Sequence, residues 1–150
     1  KRRFLEKIKR NLRECKRKFS RQPDTPSSAL NPTGRFSWDQ RVMDTLRGIF
    51  KIPSFRPHQK EVINTTLQGI DSFVIMPTGG GKSLLYQLPA LLGRGYTVVV
   101  SPLLSLIQDQ VTQLKQLGIP AEALCSAATK SEKSRIFKLM YEGGGKNLRL

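Results

Sequence analysis

Residues 73–83 read FVIMPTGGGKS, and this stretch decides how the rest of the chain is interpreted. Its first four residues form a short apolar run, which is typical of a buried strand. Three consecutive glycines follow, and residues 82–91 then carry a helical pattern. A strand, a glycine-rich turn and a helix in this order are the context that a phosphate-binding loop requires. The sequence therefore predicts such a loop at residues 76–83.

The residue types of this loop suit a phosphate ligand. Glycines let the backbone turn tightly and point successive N–H groups inward, and the following helix offers its N-terminal dipole to the same charge. We predict that Lys82 reaches the β- and γ-phosphates and is the catalytic residue, and that Ser83 coordinates Mg²⁺ through its hydroxyl. The loop residues predicted to bind the nucleotide are Thr78, Gly79, Gly80, Gly81, Lys82 and Ser83.

Strand and helix patterns alternate after the loop. A β-branched run at 97–100 predicts a second strand, residues 121–125 are expected to form a third, and residues 148–150 are expected to begin a fourth. Helical patterns cover residues 103–117 and 130–142. Alternation of this kind indicates right-handed βαβ units. The expected fold class is therefore α/β, with a parallel sheet that is incomplete in this chain and has helices on both faces.

Two helices are expected between the start of the folded part and the loop. Residues 37–40 have the form of a capping box, with Ser37 as N-cap and Gln40 at the third helical position. Pro57 suits the first turn of the second helix, and Gly69 ends that helix. The apolar positions expected in the core are Val42, Met43, Leu46, Ile49, Phe50, Val62, Ile63 and Leu67.

The positive charge is concentrated at the start of the chain. The 150 residues carry a net charge of +15, and residues 1–21 contribute 11 of the 26 basic side chains but only 2 of the 11 acidic ones. A basic arm binds polyanions by releasing their counterions, with little preference for sequence. We therefore expect contact with nucleic acid, and the basic clusters at residues 1–3 and 16–18 are also compatible with targeting to the nucleus.

Three parts are predicted along the chain. Residues 1–19 are interpreted as a basic amphipathic helix, residues 20–36 as a flexible linker rich in Pro, Ser and Thr, and residues 37–150 as the folded part. The apolar stripe of the first part consists of Phe4, Ile8, Leu12, Cys15 and Phe19. Because a single amphipathic helix cannot bury its own stripe, docking on the folded part, self-association through residues 4–19 and contact with a polyanion all remain open.

Composition argues against several classes of protein. The apolar fraction is 38% and the longest apolar runs are only a few residues long, so no membrane span is expected. No secretory signal is visible. The two cysteines, Cys15 and Cys125, lie far apart and His58 is the only histidine. A zinc site and a disulfide framework are therefore not expected, and His58 is interpreted as a surface residue.

Three motifs in this order closely resemble the RecQ family of DNA helicases. Residues 55–59 read FRPHQ, residues 76–83 read MPTGGGKS, and residues 101–106 read SPLLSL and are followed by Asp109 and Gln110. The corresponding family patterns are F-R-P-x-Q, M-P-T-G-G-G-K-S and S-P-L-x-S-L followed by D-Q. The methionine that opens the loop, where the general phosphate-loop pattern has a glycine, is thus the form of this family. The resemblance covers about residues 36–150.

The resemblance implies a RecA-like fold and a nuclear enzyme that uses ATP and Mg²⁺ to unwind DNA in the 3′-to-5′ direction, in repair, recombination or replication. It implies single-stranded and forked DNA as partners. Gln59 would read the adenine edge, which suits an amide because it both donates and accepts, and Arg56 would lie beside it at the nucleotide. Ser101, Pro102 and Ser105 would contact the backbone of single-stranded DNA.

No D-E-A-H sequence occurs in the chain, whereas in the resembled family it follows shortly after a stretch like residues 147–150. We therefore expect the 150 residues alone to be inactive as an ATPase and as a helicase. Residues 126–129 superficially resemble a later S-A-T motif but are interpreted as a loop or a helix N-cap. The alternatives left open are another phosphate-loop enzyme such as a kinase, a nucleic-acid-binding module and an interaction protein without catalytic activity.

Overall fold

In the computed structural model of this chain, the described residues are 33–93, 95–126 and 128–142. Their secondary structure consists of five helices, namely α1 (Asp39–Gly48), α2 (Gln59–Leu67), α3 (Leu84–Leu92), α4 (Leu104–Gln116) and α5 (Lys130–Glu142). The predicted basic helix, most of the predicted linker and the predicted fourth strand lie outside the described residues.

The helices occur where the sequence predicts them, with shifts at their first residues. Helix α5 covers the predicted residues 130–142. Helix α2 begins at Gln59, so Pro57 precedes it instead of lying in its first turn. A backbone hydrogen bond from Gln59 N–H to Arg56 O (3.2 Å) closes a turn there, and His58 adopts a positive φ of 65°. His58 is exposed, as predicted.

The main core lies where α3 packs against both α1 and α2. Helix α3 reads LLYQLPALL and is apolar over most of its surface because it is the central helix of this group. The buried members of the core are Val42, Leu46, Ile63, Leu84, Leu85 and Leu88. Of the predicted core residues, Met43, Phe50, Val62 and Leu67 pack against this cluster and are only partly buried. The phosphate-binding loop is thus anchored to the best-packed part of the molecule, because α3 follows it directly.

A second, smaller cluster lies further along the chain. It is formed by Leu114, Ile119 and Ala121, against which Ile49, Phe50, Leu91 and Val111 pack. Glu122 adds an ionic link between α4 and α5, because its carboxylate lies 2.9 Å from Arg135 Nη2 and 3.6 Å from Lys115 Nζ. This half of the described chain therefore depends on few buried side chains.

The predicted sheet is not formed within the described residues. Residues 70–77, 96–101 and 119–125 run between the helices without regular secondary structure, so none of the three predicted strands is assigned there. In the first segment the side chains still alternate as in a strand: Phe73 and Ile75 are 92% and 84% exposed, whereas Val74 and Met76 pack against the main core. A strand needs a neighbouring strand for its backbone hydrogen bonds, and these segments do not supply one another with partners.

The predicted capping box at the start of α1 is wrong. Trp38 occupies the N-cap position and makes no side-chain cap bond. The chain turns instead through Asp39, whose Oδ2 accepts the Phe36 N–H (3.0 Å) and whose Oδ1 lies 3.1 Å from Lys60 Nζ. The donated Phe36 N–H and the Lys60 ammonium hold the pKa of Asp39 below its ordinary value. The charged carboxylate thereby ties the entry of α1 to α2.

Of residues 126–129, interpreted as a loop or a helix N-cap, Thr129 is found in a capping role. Thr129 N and Oγ1 both lie 2.7 Å from Glu132 Oε2, and Glu132 N–H donates to Thr129 Oγ1 at 3.2 Å. This reciprocal pattern is a capping box for α5. The hydrogen bonds from the Thr129 side chain and backbone lower the pKa of Glu132. Thr129 therefore serves the local structure of α5.

Candidate nucleotide-binding site

The phosphate-binding loop has the backbone geometry that its glycines allow. Gly79 and Gly81 adopt positive φ angles of 77° and 83°, a region that favours glycine. Gly80 N–H donates to Pro77 O at 3.1 Å, and a Cβ atom added at Gly80 would lie only 3.0 Å from the same oxygen. The tight turn at Gly80 therefore depends on the missing side chain there, and the backbone angles of Gly79 and Gly81 favour glycine.

Lys82 folds back over its own loop. Its Nζ donates to Met76 O at 2.9 Å and to Pro77 O at 2.8 Å, and the side chain is exposed. Both partners are neutral carbonyl groups, so the ammonium charge is not neutralised by them. Phosphate oxygens form stronger, charge-assisted hydrogen bonds with an ammonium than carbonyl groups do. Lys82 is thus placed at the loop with its charge available to an anion.

Two side chains at the start of α2, Arg56 just before the helix and Gln59 as its first residue, bind carbonyl groups of the loop. Arg56 Nη1 donates to Gly79 O, and Gln59 Nε2 donates to Gly81 O at 3.2 Å. Gln59 is only 3% exposed, and its Oε1 accepts the Arg56 N–H at 2.9 Å. The motif at residues 55–59 and the loop, which are about twenty residues apart in the sequence, therefore form one structural unit.

These two hydrogen bonds orient peptide groups of the loop. The chain contains no cis peptide bond among its described residues, and in a trans peptide the C=O of one residue points away from the N–H of the next. A donor that holds Gly81 O on the outer side therefore turns the Lys82 N–H towards the inner side. The Gly80 N–H differs, because it donates to Pro77 O. Gln59 thus acts on the direction of the Lys82 N–H, and Arg56 supports the turn at Gly79.

Gly81 has a second reason to be glycine. A Cβ atom built at this residue would lie 2.4 Å from Gln59 Nε2, whereas a Cβ atom at Gly79 would meet nothing within 4 Å. The close approach of the Gln59 amide to the loop therefore depends on the missing side chain at Gly81.

Both ends of the Gln59 amide are hydrogen-bonded within the protein, and the residue is buried. The sequence led us to expect that it reads an adenine edge, but its oxygen is bonded to Arg56 N–H and its nitrogen to Gly81 O. A base that bonds to this amide has to compete with the loop for it. The sequence motif indicated that Gln59 belongs to the site, and the structure adds the contact with the loop.

The remaining loop residues are exposed or half-buried. Thr78 lies in the exposed turn, and Ser83 precedes α3 without capping it through its side chain. Because no cap bond engages the Ser83 hydroxyl, it is compatible with the predicted Mg²⁺ ligand. The glycine turn, the Lys82 ammonium and this hydroxyl together fit a magnesium-bound polyphosphate.

The residues predicted to contact DNA lie at the start of α4. Pro102 and Ser105 are exposed, whereas the Ser101 hydroxyl is buried and has no hydrogen-bond partner among the described residues. Downstream in the same motif, Gln110 accepts a hydrogen bond from Tyr86 OH at 2.8 Å. The sequence did not predict this contact between α3 and α4, because no periodicity relates residues 24 positions apart.

Other classes of site are not supported in the described part of the chain. No group of three or more His, Cys, Asp or Glu side chains there is arranged to hold a metal ion. Within the same residues, no helix combines the length and the apolar character that crossing a membrane requires.

Comparison with known proteins places this site in a family. Residues 56–147 match the DEAD/DEAH box helicase family. The chain is 48% identical over 124 residues to the ATP-dependent DNA helicase Q1 of Mus musculus. This stretch covers 83% of the chain and 19% of the relative. It is 50% identical over 118 residues to the ATP-dependent DNA helicase Q-like 2 of Arabidopsis thaliana, with coverage of 78% and 17%.

A yeast relative shows the same pattern. The ATP-dependent helicase SGS1 of Saccharomyces cerevisiae is 47% identical over 121 residues, which is 78% of this chain and 8% of that protein. The chain therefore spans a fifth or less of the length of these curated relatives. The family match extends over more than half of the chain and implies a RecA-like fold. The chain therefore belongs to the DEAD/DEAH box helicase family and, within it, to the RecQ-type helicases that its three motifs indicated.

Proposed function

We propose that this chain forms the ATP-binding part of a RecQ-type DNA helicase that unwinds DNA in the 3′-to-5′ direction at the expense of ATP. The observation that carries the proposal is the unit formed by the phosphate-binding loop and the side chains of Arg56 and Gln59. A glycine-rich loop alone would be compatible with many phosphate-loop enzymes. The contact between the loop and the F-R-P-x-Q motif favours a RecQ-type helicase. If the chain were a kinase, that motif and residues 101–110 would have no role.

The residues of the site have separate tasks in this proposal. The loop residues 78–81 surround the phosphates, the backbone N–H groups of Lys82 and Ser83 bind them, and Lys82 Nζ exchanges its two carbonyl partners for phosphate oxygens. The Ser83 hydroxyl would hold Mg²⁺, which would supply charge neutralisation to the bound phosphates. Lys82 stabilises the negative charge that grows on the transferred phosphoryl group, which makes it the catalytic residue of this chain.

We assign base recognition to Gln59, with Arg56 next to it. Because the Gln59 amide already bonds the loop, adenine binding exchanges the contact with Gly81 O for a contact with the base. Gln59→Ala should then weaken binding of inorganic triphosphate somewhat, because the loop loses its support, and should weaken ATP binding clearly more, because the base contact is also lost. Calorimetry with both ligands measures this difference. An equal loss for both ligands would show that Gln59 supports only the loop.

DNA contact is assigned to the start of α4 and to the basic arm. Ser101, Pro102 and Ser105 are proposed to touch the backbone of single-stranded or forked DNA, and the basic side chains of residues 1–21 add a contribution that does not depend on sequence. The basic clusters of the same arm support action in the nucleus. Self-association through residues 4–19 is the competing role of the arm.

The three extended segments are proposed to become strands of a parallel sheet in the complete domain, with helices on both faces. Alternating exposure at residues 97–100 supports this. Thr97 and Val99 are half-buried, whereas Val98 and Val100 are exposed. Neighbouring strands and an acidic motif that positions water are therefore expected from residues other than those described here.

The decisive experiment is Lys82→Ala in the complete protein that carries this chain. Loss of the ammonium removes the charge that acts on the β- and γ-phosphates, so ATPase activity should fall by at least about 10²-fold, in line with the loss of one charge-stabilising group in an active site. Lys130→Ala, which replaces an exposed lysine at the first residue of α5, is the matched control and should leave the activity unchanged. Normal ATP turnover by Lys82→Ala with an unchanged thermal midpoint would reject the proposed function.

A further inference from the structure

The hydrogen bond between Tyr86 and Gln110 joins the two motif-bearing helices of the chain. Tyr86 OH donates to Gln110 Oε1 at 2.8 Å, and the pair is partly buried. Tyr86 lies in the first turn of α3, and its own N–H is 3.4 Å from Ser83 O. Gln110 lies in α4, which begins directly after residues 101–103. This bond therefore connects the helix that follows the phosphate-binding loop with the helix that follows the proposed DNA-contacting segment.

Packing around Gln110 is loose on its other side. A cavity of about 280 Å³ borders Gln110 and is lined mainly by apolar side chains, among them Val99, Val111 and Met140. Ser101 borders the same cavity, and its buried hydroxyl has no hydrogen-bond partner among the described residues. The Gln110 amide thus has room to leave Tyr86, and a polar group without a partner lies on the same cavity wall. These conditions allow two arrangements of one side chain.

We propose that Tyr86 and Gln110 are positioning residues that couple DNA contact at the start of α4 to the phosphate-binding loop. The inference rests on the proposed function, since it needs an ATPase that responds to DNA. While the bond is made, a displacement of α4 by DNA is transmitted to the first turn of α3 and so to Ser83 and the loop. When Gln110 turns towards the cavity, this direct link between the first turn of α3 and α4 is broken, and the apolar contact of Leu91 with the Leu114 cluster still joins the two helices. Coupling of this kind requires an element with two discrete arrangements, and the Gln110 side chain is that element.

The test compares ATPase rates with and without single-stranded DNA in the complete protein. Tyr86→Phe keeps the ring in the first turn of α3 and removes only the donor. Its rate without DNA should stay within about twofold of the original, while the stimulation by DNA falls about fivefold, which corresponds to the loss of one hydrogen bond. Gln110→Leu should give the same loss, and Gln110→Glu, which keeps an acceptor oxygen, should retain most of the stimulation.

The double variant Tyr86→Phe/Gln110→Leu distinguishes a shared role from two independent ones. If the bond acts as a unit, the double variant loses no more stimulation than either single variant. Equal losses with and without DNA, together with a lowered thermal midpoint, would show that the bond only stabilises the fold and would overturn the proposal. Unchanged stimulation in both single variants would also overturn it.

Lys82→Ala, measured in parallel, keeps this result separate from the proposed function. If Lys82→Ala abolishes ATP turnover while Tyr86→Phe leaves the DNA response intact, the proposed function stands and the coupling role is wrong. If Lys82→Ala turns over ATP normally, the proposed function itself fails.

Discussion

Two regions of this chain differ in how well their apolar side chains are buried. One is the helical layer α1–α3, and the other consists of the three extended segments at residues 70–77, 96–101 and 119–125. In the helical layer, Val42, Leu46, Ile63 and Leu88 are fully buried. In the extended segments, alternate apolar side chains remain open to solvent, and Val100 is 91% exposed. Apolar character alone therefore does not decide burial in this protein.

The difference follows from where each element finds its backbone partners. A helix bonds its N–H groups to carbonyls four residues earlier, so α1–α3 need only one another to bury their apolar faces. A strand takes its partners from residues that are distant in the sequence. The phosphate-binding loop belongs to the completed part, because α3 follows it and the turn before α2 supports it.

The largest expected effect is a difference in unfolding free energy between truncations of an apolar side chain in the two regions. Leu88→Ala removes a fully buried side chain from the centre of the helical layer and should lower the free energy of unfolding by about 2–5 kcal/mol. Leu124→Ala, at a residue that is 46% exposed in an extended segment, should change it by less than about 0.5 kcal/mol. Urea unfolding of both variants measures the difference. Similar losses would mean that the extended segment is packed in solution.

A pair of neighbouring residues sharpens the comparison within one segment. Val74→Lys places a charge against the main core and should cost about 1–3 kcal/mol of unfolding free energy. Ile75→Lys alters a side chain that is 84% exposed, so it should leave stability nearly unchanged and reduce self-association of the chain, because a charge on an unpaired strand opposes edge-to-edge pairing. Denaturant unfolding and light scattering on the same samples test both statements. Equal destabilisation by the two lysines would contradict the alternation of buried and exposed side chains in this segment.

Two glycines of the loop provide the next comparison. Both Gly79→Ala and Gly81→Ala impose a side chain on a positive φ, which costs about 1–2 kcal/mol. Only the second also forces a Cβ atom to within 2.4 Å of Gln59 Nε2. Binding of ATP, measured by calorimetry, should therefore be weaker for Gly81→Ala than for Gly79→Ala. Equal affinities would show that Gln59 moves away from the loop without consequence.

The smallest expected effect is an acid transition at the entry of α1. The pKa of Asp39 is lowered in the folded state, so its stabilising contribution is present above its ordinary value of 3.8 and is lost as the pH falls through the lowered folded value. Trp38, the only tryptophan, stacks on Phe36 and donates to Asn64 Oδ1, so its fluorescence reports on this region. Asp39→Asn should remove most of the acid-dependent change below about pH 4, whereas Glu132→Gln should leave the Trp38 signal unaltered.

Local patterns in the sequence were sufficient for the helices and for the identity of the loop. The period of apolar residues located α1–α5 to within a few residues, because helical hydrogen bonds and apolar stripes are local features. The glycine-rich loop was evident because the order of strand, glycines and helix has a known physical purpose. The capping box at Ser37 failed, since Asp39 offers a charged acceptor to the Phe36 N–H and also meets Lys60 from another helix.

The sequence by itself determined that a glycine-rich loop of the phosphate-binding type precedes a helix, that the helical faces are apolar on one side, and that three motifs occur in the order of a RecQ-type helicase. Only the tertiary structure showed that Gln59 and Arg56 hold the loop by Gly81 O and Gly79 O, and that Tyr86 meets Gln110. These contacts join residues more than twenty positions apart in the sequence. Such residues meet only because the tertiary packing brings their segments together. The same reason leaves the sheet undetermined by pattern alone, because a strand is completed only by partners that lie elsewhere in the chain.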